Sequence, residues 1–538
     1  MSVTDLRPTD EASMLPGTDL PPTGVPGYAD VWPTPRQGPM VQVRRLARRS
    51  ALVGGVLLAS LLLALLFGPA AAIVPVVLVL GAWGLFVVPF GVVAPAVVGF
   101  LLSISNPSLN PAENKWRSPL LPIGKALFTI MPIKLAPADI LIGVLVIRAL
   151  MIIVLGDWGA GIDRRPTRQF AQAALAGIAA ISIWTVYGLA TGGSFKNMLW
   201  QVRPLMWLPC FALAASVAAA TRSGIARFRT AVLIAGLVKA AEGIWFFFLV
   251  AKPQRLDVAF VTTHSDSVLW SLAVSIVIAE WIEVRTRRTR RNLLLLTPIY
   301  ALAMVLNNRR TVWVSVFASA FFLVMVAQRP VQRQLARILG LVWPLVLVYV
   351  AVGLGSHSAS IAFKPVSMVD SVLFQTDSSS STRDIENYNL MVTIRARPFV
   401  GWGFGHEYIE AIRADDIAKQ FAQYRYIPHN SFLGLWAFIG PIGASGYFLL
   451  PVVAVFYAVS ARRRSRDPTL RAPGAWAVCA VIAYLVQGWA DIGLQDWTAI
   501  LCVGIGFGIA GALPRHVANE ERIALGGSRS DSRLARLG

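Results

Sequence analysis

The chain has 538 residues, of which 56% are hydrophobic and only 14% are charged, and its mean hydropathy is +0.61. A soluble domain has roughly a quarter of its residues charged, so this composition excludes an ordinary soluble protein and predicts an all-α polytopic membrane protein. The net charge of +21 comes mostly from Lys and Arg between apolar runs. No basic stripe is interleaved with aromatic residues, so we expect membrane lipids and no nucleic acid as partners.

Residues 1–48 are rich in proline and polar side chains, which predicts a disordered cytoplasmic tail without a cleavable signal peptide. The chain then predicts the first part of a transmembrane bundle over 49–354, a large loop over 355–430, the last helices over 431–513 and a basic cytoplasmic tail over 514–538. The apolar runs predict about 12–14 transmembrane helices. They begin at Ala51, Ala70, Gly91, Ala138, Phe170, Pro204, Ala231, Ser265, Asn292, Thr311, Gln334, Ser431, Ala472 and Trp497.

Orientation follows from the basic connections between these runs. Under the positive-inside rule, the alternating connections that carry arginine clusters are cytoplasmic, and so are both termini. The clusters are Arg44–Arg49, Arg164–Arg168, Arg222–Arg229, Arg285–Arg291, Arg329–Arg337 and Arg462–Arg471. The same order places residues 105–136 outside, along the interface, and makes residues 355–430 the one large extracytoplasmic loop.

The large loop carries helical patterns of its own. Ser381 and Asp384 resemble a capping box, and apolar residues then recur at helical spacing from Ile385 to Ile394, before Pro398. A second amphipathic stretch runs from about Glu407 to Phe421. The loop is therefore predicted to contain amphipathic helices.

Arginines at the outer membrane boundary need a reason other than topology. Arg203, Arg309 and Arg310 lie there. Snorkelling to lipid headgroups explains one such residue, but three at one boundary favour binding of phosphate by guanidinium groups. The loop that faces them contributes further cations, namely Arg383, Arg395, Arg397, Arg413 and Arg425.

Two further loop features stand near these arginines. His429 and Asn430 come directly before an apolar run, where a histidine is either structural or part of a site. The loop also contains a glycine-rich segment with Gly401, Gly403 and Gly405. No strand is predicted before it, and its glycine spacing differs from that of a nucleotide-binding motif. We therefore predict a tight turn that brings the backbone close to a partner or to the membrane.

A few chemically active residues lie inside the apolar runs. Lys239 and Glu242 are spaced to pair, which favours a structural ion pair over a proton or ion relay, because no further acids continue a path in the sequence. The three cysteines also lie inside apolar runs and predict no disulfide, metal site or nucleophile: Cys210, Cys479 and Cys502.

A set of motifs in the second half of the chain resembles the O-antigen ligase and polymerase superfamily. The similar segments are Pro398-Phe-Val-Gly-Trp-Gly-Phe-Gly405, Pro428-His-Asn-Ser-Phe-Leu433, Gly440-Pro-Ile-Gly443 and the upstream Asn308-Arg-Arg-Thr-Val-Trp313. Arg383 matches the arginine that precedes the first of these motifs in the family. The family usually has serine or a similar residue where this chain has Arg309.

The resemblance implies a glycosyltransferase of the bacterial cytoplasmic membrane. Its donor would be an undecaprenyl-diphosphate-linked glycan, and its acceptor a glycan or glycolipid at the outer face. Arg310, Arg383 and His429 are the expected catalytic residues: the arginines stabilise the leaving diphosphate, and His429 acts as general base or binds the diphosphate. Donor or glycan binding is expected of Arg203, Arg309, Arg395, Gly401, Gly403 and Asn430.

Neither a cofactor nor a metal is expected, because the loop arginines have no acidic pair beside them, and Asp415 and Asp416 lie on a separate amphipathic face. Two other functions fit the same residues. A flippase of lipid-linked saccharide would use the arginines to hold a headgroup, although the chain lacks the repeated halves of most transporters. A protein O-oligosaccharyltransferase would use the same donor.

Overall fold

The structure, a computed structural model, describes residues 88–104, 123, 127, 135–156, 164–256, 260–263, 265–356, 363, 366, 378–413 and 423–534. All of them belong to one compact unit, Trp83–Gly538. The predicted N-terminal tail, the spans beginning at Ala51 and Ala70, and nearly all of the interfacial segment 105–136 lie outside these residues.

The described residues form α-helices, short turns and irregular segments, and contain no β-strand. The helices before the large loop are α1 (Phe90–Ile104), α2 (Pro137–Leu155), α3 (Arg168–Ala190), α4 (Phe195–Ala218), α5 (Arg222–Trp245), α6 (Asp266–Glu283), α7 (Arg287–Asn307), α8 (Arg310–Val326) and α9 (Arg329–Ser356). Those from the loop onward are α10 (Ser378–Ala396), α11 (Ser431–Arg464), α12 (Pro468–Ala490) and α13 (Trp497–Leu534). A π-helical turn, Phe246–Ala251, extends α5, and a 3-10 turn, Gly493–Gln495, precedes α13.

Seven of these helices are long and apolar enough to cross a membrane by length and composition, namely α2, α3, α5 with its π-helical turn, α9, α11, α12 and α13. The helices α1 and α8 are apolar but shorter. Several spans begin at side-chain caps: the Asp467 carboxylate accepts the Thr469 backbone N–H at 2.8 Å at the start of α12. The prediction of an all-α polytopic membrane protein is confirmed.

The centre of the bundle is formed by α4, α12 and α13, whose side chains are largely buried. Small residues allow close contact between α4 and α13: a Cβ added at Gly508 would lie 2.3 Å from the Cβ of Ala215. Around this centre α3 packs on α11, and α6 packs on α7 and α12. Among the described residues α9 contacts mainly α8 and is exposed over most of its length.

The helix predicted before Pro398 is present as α10, but it begins at Ser378, so Ser381 lies inside the helix and not at its start. Leu390 and Ile394 of α10 pack with Tyr408, Tyr424 and Ala437, which fixes this helix against α11.

The second amphipathic stretch is not helical where it is described. Residues 407–413 are irregular, because side chains of α10 bind their backbone: Asn389 accepts the Ile412 N–H at 2.9 Å and donates to its carbonyl at 2.7 Å. The rest of that stretch, residues 414–422, lies outside the described part.

Candidate active site

His429 lies between the loop and α11, and its ring faces a buried carboxylate on α10. Nδ1 of His429 is 3.1 Å from Oε2 of Glu386, and the His429 backbone N–H donates to the same oxygen at 3.2 Å. Glu386 is 0% exposed. A carboxylate bound at Nδ1 orients an imidazole so that Nε2 is the nitrogen that acts on a substrate.

The surroundings of His429 make its imidazole more basic. Burial alone lowers the pKa of His429, but the hydrogen bond and charge of Glu386, together with the charge of Asp491, outweigh burial and raise the pKa above its usual value. The charge of Arg383 acts in the opposite direction. A neighbouring cation is therefore part of the same electrostatic environment.

Arg309 supplies the second cation of the site. Its guanidinium lies over the ring of Phe260, 4.0 Å from the ring centroid. Nε and Nη2 of Arg309 are buried and have no hydrogen-bond acceptor among the described residues. Burial lowers the pKa of Arg309 to about 10, with Asp491 raising it and Arg383 lowering it, so the group stays charged at neutral pH. Buried guanidinium donors without acceptors are the feature expected of an anion-binding residue.

The turn between α7 and α8 holds Arg309 in this place. Asn308 ends α7 in the left-handed region, with φ of 52°, a conformation that asparagine tolerates better than most residues. The neighbouring Asn307 is fully buried, and its amide accepts the Thr262 N–H at 2.9 Å and donates to the Thr263 carbonyl at 3.1 Å. Asn307 thereby fixes the segment that carries Phe260 beneath Arg309.

Asp491 connects the two halves of the site. It lies at the end of α12, is 5% exposed, and its backbone carbonyl accepts the hydroxyl of Ser431, the first residue of α11, at 3.1 Å. The charges of Asp491 and Arg383 each act on both His429 and Arg309. The residues Arg309, Arg383, Glu386, His429 and Asp491 therefore form one electrostatically coupled cluster, which we call the His429 cluster.

Two members of the His429 cluster were missed from the sequence, Glu386 and Asp491. The sequence does contain a signal for Asp491: an acid directly at the end of an apolar run needs a partner or a function. Glu386 gives no comparable signal, because its burial depends on how α10 packs on α11.

The remaining arginines predicted for the site lie in different surroundings. Arg203 belongs to the interior of α4, which begins at Phe195 and not at the predicted Pro204. Its Nη1 is 3.5 Å from the buried carboxylate of Asp139. Arg310 is half-buried in the first turn of α8, and Arg395 is exposed in the last turn of α10.

The glycines of the loop are in close backbone packing. Gly403 has a φ of +85°, and a Cβ added there would lie 2.3 Å from Cα of Gly188 in α3. Its N–H donates to the Phe438 carbonyl at 2.7 Å. Gly401 has a φ of +72° and approaches the backbone of α11. The partner of this tight turn is thus the bundle itself.

Asn430 caps α11: its side-chain oxygen accepts the Leu433 N–H at 3.2 Å. This cap sets the direction in which the chain leaves His429. Within the described part of the chain, no group of His, Cys, Asp and Glu side chains is arranged to hold a metal ion.

The fold and the cluster together define a multi-pass, all-helical membrane protein with a polar site where a loop meets the helix ends. Residues 293–448 match the O-antigen ligase family, and the resemblance to the O-antigen ligase and polymerase superfamily is thereby confirmed. The matched segment contains every residue of the His429 cluster except Asp491. No curated protein matches the chain. The match supports a general function for the chain, that of a membrane protein that ligates or polymerises glycans.

Proposed function

We propose that this chain is a glycosyltransferase that transfers or polymerises a glycan from an undecaprenyl-diphosphate-linked donor to an acceptor sugar at the outer face of the bacterial cytoplasmic membrane. The observation that carries the proposal is the pair of buried Arg309 donors, Nε and Nη2, that have no acceptor among the described residues. The charges of Asp491 and Arg383 act both on Arg309 and on His429. A diphosphate has the charge and the oxygen atoms that such donors bind.

The proposed reaction has one proton transfer and one displacement. His429 accepts the proton of the acceptor hydroxyl at Nε2 while that oxygen attacks the anomeric carbon of the donor sugar. The bond from the anomeric carbon to the diphosphate oxygen breaks, and undecaprenyl diphosphate leaves with the electron pair. The proton stays on the imidazole, where the negative charge of Glu386, 3.1 Å from Nδ1, stabilises it.

Arg309 and Arg383 are proposed to stabilise the charge that develops on the leaving diphosphate. The sequence motif favours Arg310, which remains a proposed ligand of the donor, but the contact with Phe260 and the buried donors give stronger support to Arg309. Because two guanidinium groups provide the positive charge that a metal would otherwise provide, we propose that transfer needs no metal.

Several residues predicted to bind the donor are better explained as positioning residues. Asn430 caps the helix that follows His429, and Gly401 and Gly403 hold the loop against α3 and α11. Arg203 is paired with Asp139 at 3.5 Å, but its Nε and Nη1 are buried and have no hydrogen-bond acceptor among the described residues, so Arg203 remains a proposed ligand of the donor. For Arg395, the exposed position favours contact with the glycan or with lipid headgroups.

The test is a reconstitution with the full-length protein in proteoliposomes that contain an undecaprenyl-diphosphate-linked oligosaccharide. Release of undecaprenyl diphosphate together with elongated or newly attached glycan is the expected result, and Arg309→Ala should abolish it while membrane insertion persists. Transport of the intact donor across the bilayer without any cleavage would overturn the proposal in favour of a flippase.

Deletion of the gene distinguishes a polymerase, a ligase and a protein oligosaccharyltransferase from one another. Loss of glycan chain length indicates a polymerase, and accumulation of lipid-linked polymer with lost attachment indicates a ligase. Loss of glycan from Ser, Thr or Tyr side chains of proteins, with normal envelope glycans, would instead indicate a protein oligosaccharyltransferase.

A further inference from the structure

A cavity lies at the end of the bundle opposite to the His429 cluster. It has a volume of about 290 Å³ and is lined by residues of α5, α6, α7 and α12 and of the turns that join them. The cavity contacts the end of α6 and the starts of α7 and α12. The His429 cluster is near the start of α6, the end of α7 and the end of α12. The three helices therefore run from one site to the other.

The inner wall of the cavity is apolar. Ile225, Leu470, Ala472 and Trp476 line it, and each is at most 5% exposed. Binding of a hydrocarbon chain removes such an apolar wall from water and is favourable, whereas the wall provides no hydrogen bonds for a small hydrophilic anion.

The rim of the cavity is cationic. Arg229 donates from Nη2 to Glu280 at 2.6 Å, and Arg222 pairs with Asp467 at 2.6 Å, so both arginines are held in place. Arg288 also lines the cavity, is exposed, and has no carboxylate partner within the described part of the chain. The first turns of α7 add further exposed arginines beside it, namely Arg287, Arg290 and Arg291.

We propose that this cavity binds an anionic phospholipid of the bilayer, with acyl chain against Trp476 and Leu470 and with phosphate at Arg288. The combination of an apolar wall and a basic rim at the end of a membrane-spanning bundle matches the two parts of such a lipid. A zwitterionic lipid has the same hydrocarbon but no net charge to pair with the rim, so it binds more weakly.

A lipid bound in this cavity would contact α5, α6, α7 and α12 at the same time. The proposal concerns a second site and does not require that the proposed glycan transfer be correct.

The experiment is native mass spectrometry of the delipidated full-length protein with phosphatidylglycerol and, separately, phosphatidylcholine. We expect preferential retention of phosphatidylglycerol. Arg288→Gln should weaken that binding about fivefold, the effect of one basic residue near a charged headgroup. Arg291→Gln, which removes the same charge outside the cavity lining, should have a smaller effect.

A second variant tests the apolar wall. Ala226 lines the cavity and is exposed, so Ala226→Phe fills the space without disturbing the core, and it should remove most of the phosphatidylglycerol. Ala241→Phe, at an exposed position on the same helix outside the lining, is the matched control and should bind as the wild type does. Equal retention of both lipids or undiminished binding in Ala226→Phe would overturn the proposal.

Discussion

Glu386 accepts two hydrogen-bond contacts from His429, one from the backbone N–H at 3.2 Å and one from Nδ1 at 3.1 Å. The two contacts fix both the chain and the ring of the histidine, so the orientation of the imidazole depends on one buried carboxylate of α10. Since α10 belongs to the loop and α11 to the bundle, the imidazole of His429, the proposed base, has this orientation only when the loop is docked on the bundle.

Replacing Glu386 by Gln should shift the pH dependence of transfer. A general base must be neutral, so kcat/KM rises as pH increases through the pKa of His429, which the protein raises. Glu386→Gln removes a charge that raises this pKa, so the acid limb of the profile should move to lower pH. The maximal rate should fall about 10- to 100-fold, because the imidazolium loses its stabilising carboxylate.

The measurement is kcat/KM against pH with purified protein in detergent and a soluble acceptor. Glu407→Gln is the matched control, because Glu407 is a loop carboxylate that pairs with Arg425 at 2.9 Å and not with the histidine. An acid limb that stays at its wild-type pH in Glu386→Gln would contradict the assignment of His429 as the base.

Arg309→Lys should lose most of the activity even though it keeps the charge. A lysine ammonium cannot place two donors in the planar geometry of Nε and Nη2, and loss of one such donor to a developing anion lowers kcat about 10²-fold or more. Arg310→Lys tests which of the two adjacent arginines stabilises the leaving diphosphate. We expect the larger loss of activity in Arg309→Lys. Arg291→Lys, at the other end of α7, is the control. Wild-type turnover of Arg309→Ala would rule out its proposed role.

The sequence predicted most spans, because a long apolar run is itself the physical cause of a transmembrane helix. It also predicts Arg309, Arg383 and His429 as candidate site residues, since cations and histidines at span boundaries are rare enough to need a reason. The start of α4 was misplaced because its first turns carry Lys196, Asn197 and Gln201, which lower the local hydropathy although they are helical.

What the sequence did not predict depends on contacts between distant segments. The irregular path of residues 407–413 follows from side chains of α10, which satisfy the backbone groups that a helix would otherwise satisfy itself. Nζ of Lys239 and Oε2 of Glu242 are 3.2 Å apart, and the charges of both residues act on the buried Asp266, which lies 24 or more residues further along the chain. Hydropathy along a chain contains no information about which side chains from distant segments come into contact.

Gly403→Ala should destabilise the docked loop by about 3 kcal/mol or more, because alanine is strained at a φ of +85° and its Cβ would overlap the backbone of Gly188. The expected result is faster proteolysis within the loop and a lower thermal midpoint, with loss of transfer. Gly340→Ala is the control, since, apart from its chain neighbours and the backbone of its own helix, no atom of the described residues lies within 4 Å of a Cβ added at Gly340. Undiminished stability of Gly403→Ala would argue against backbone packing as the reason for this glycine.

The predicted topology can be tested with a pair of cysteines on opposite sides. Tyr388 is 50% exposed on α10, so Tyr388→Cys should react in intact cells with a membrane-impermeant maleimide. Arg291→Cys, exposed at the start of α7, should react only after the membrane is permeabilised. The native cysteines give a low background, because Cys479 and Cys502 are buried and Cys210 is half-buried. The reverse labelling pattern would invert the orientation and place the His429 cluster in the cytoplasm.

Removal of divalent metal should leave transfer unchanged. In the proposed mechanism Arg309 and Arg383 provide the charge opposite the leaving diphosphate, and a guanidinium whose pKa is about 10 remains charged throughout the neutral range. The measurement is the initial rate of undecaprenyl diphosphate release by purified protein with EDTA and after re-addition of Mg²⁺, compared with untreated protein. A rate that falls with EDTA and returns with Mg²⁺ would require a metal at the diphosphate. The acids nearest to Arg309, above all Asp491, would then be the first residues to replace by their amides.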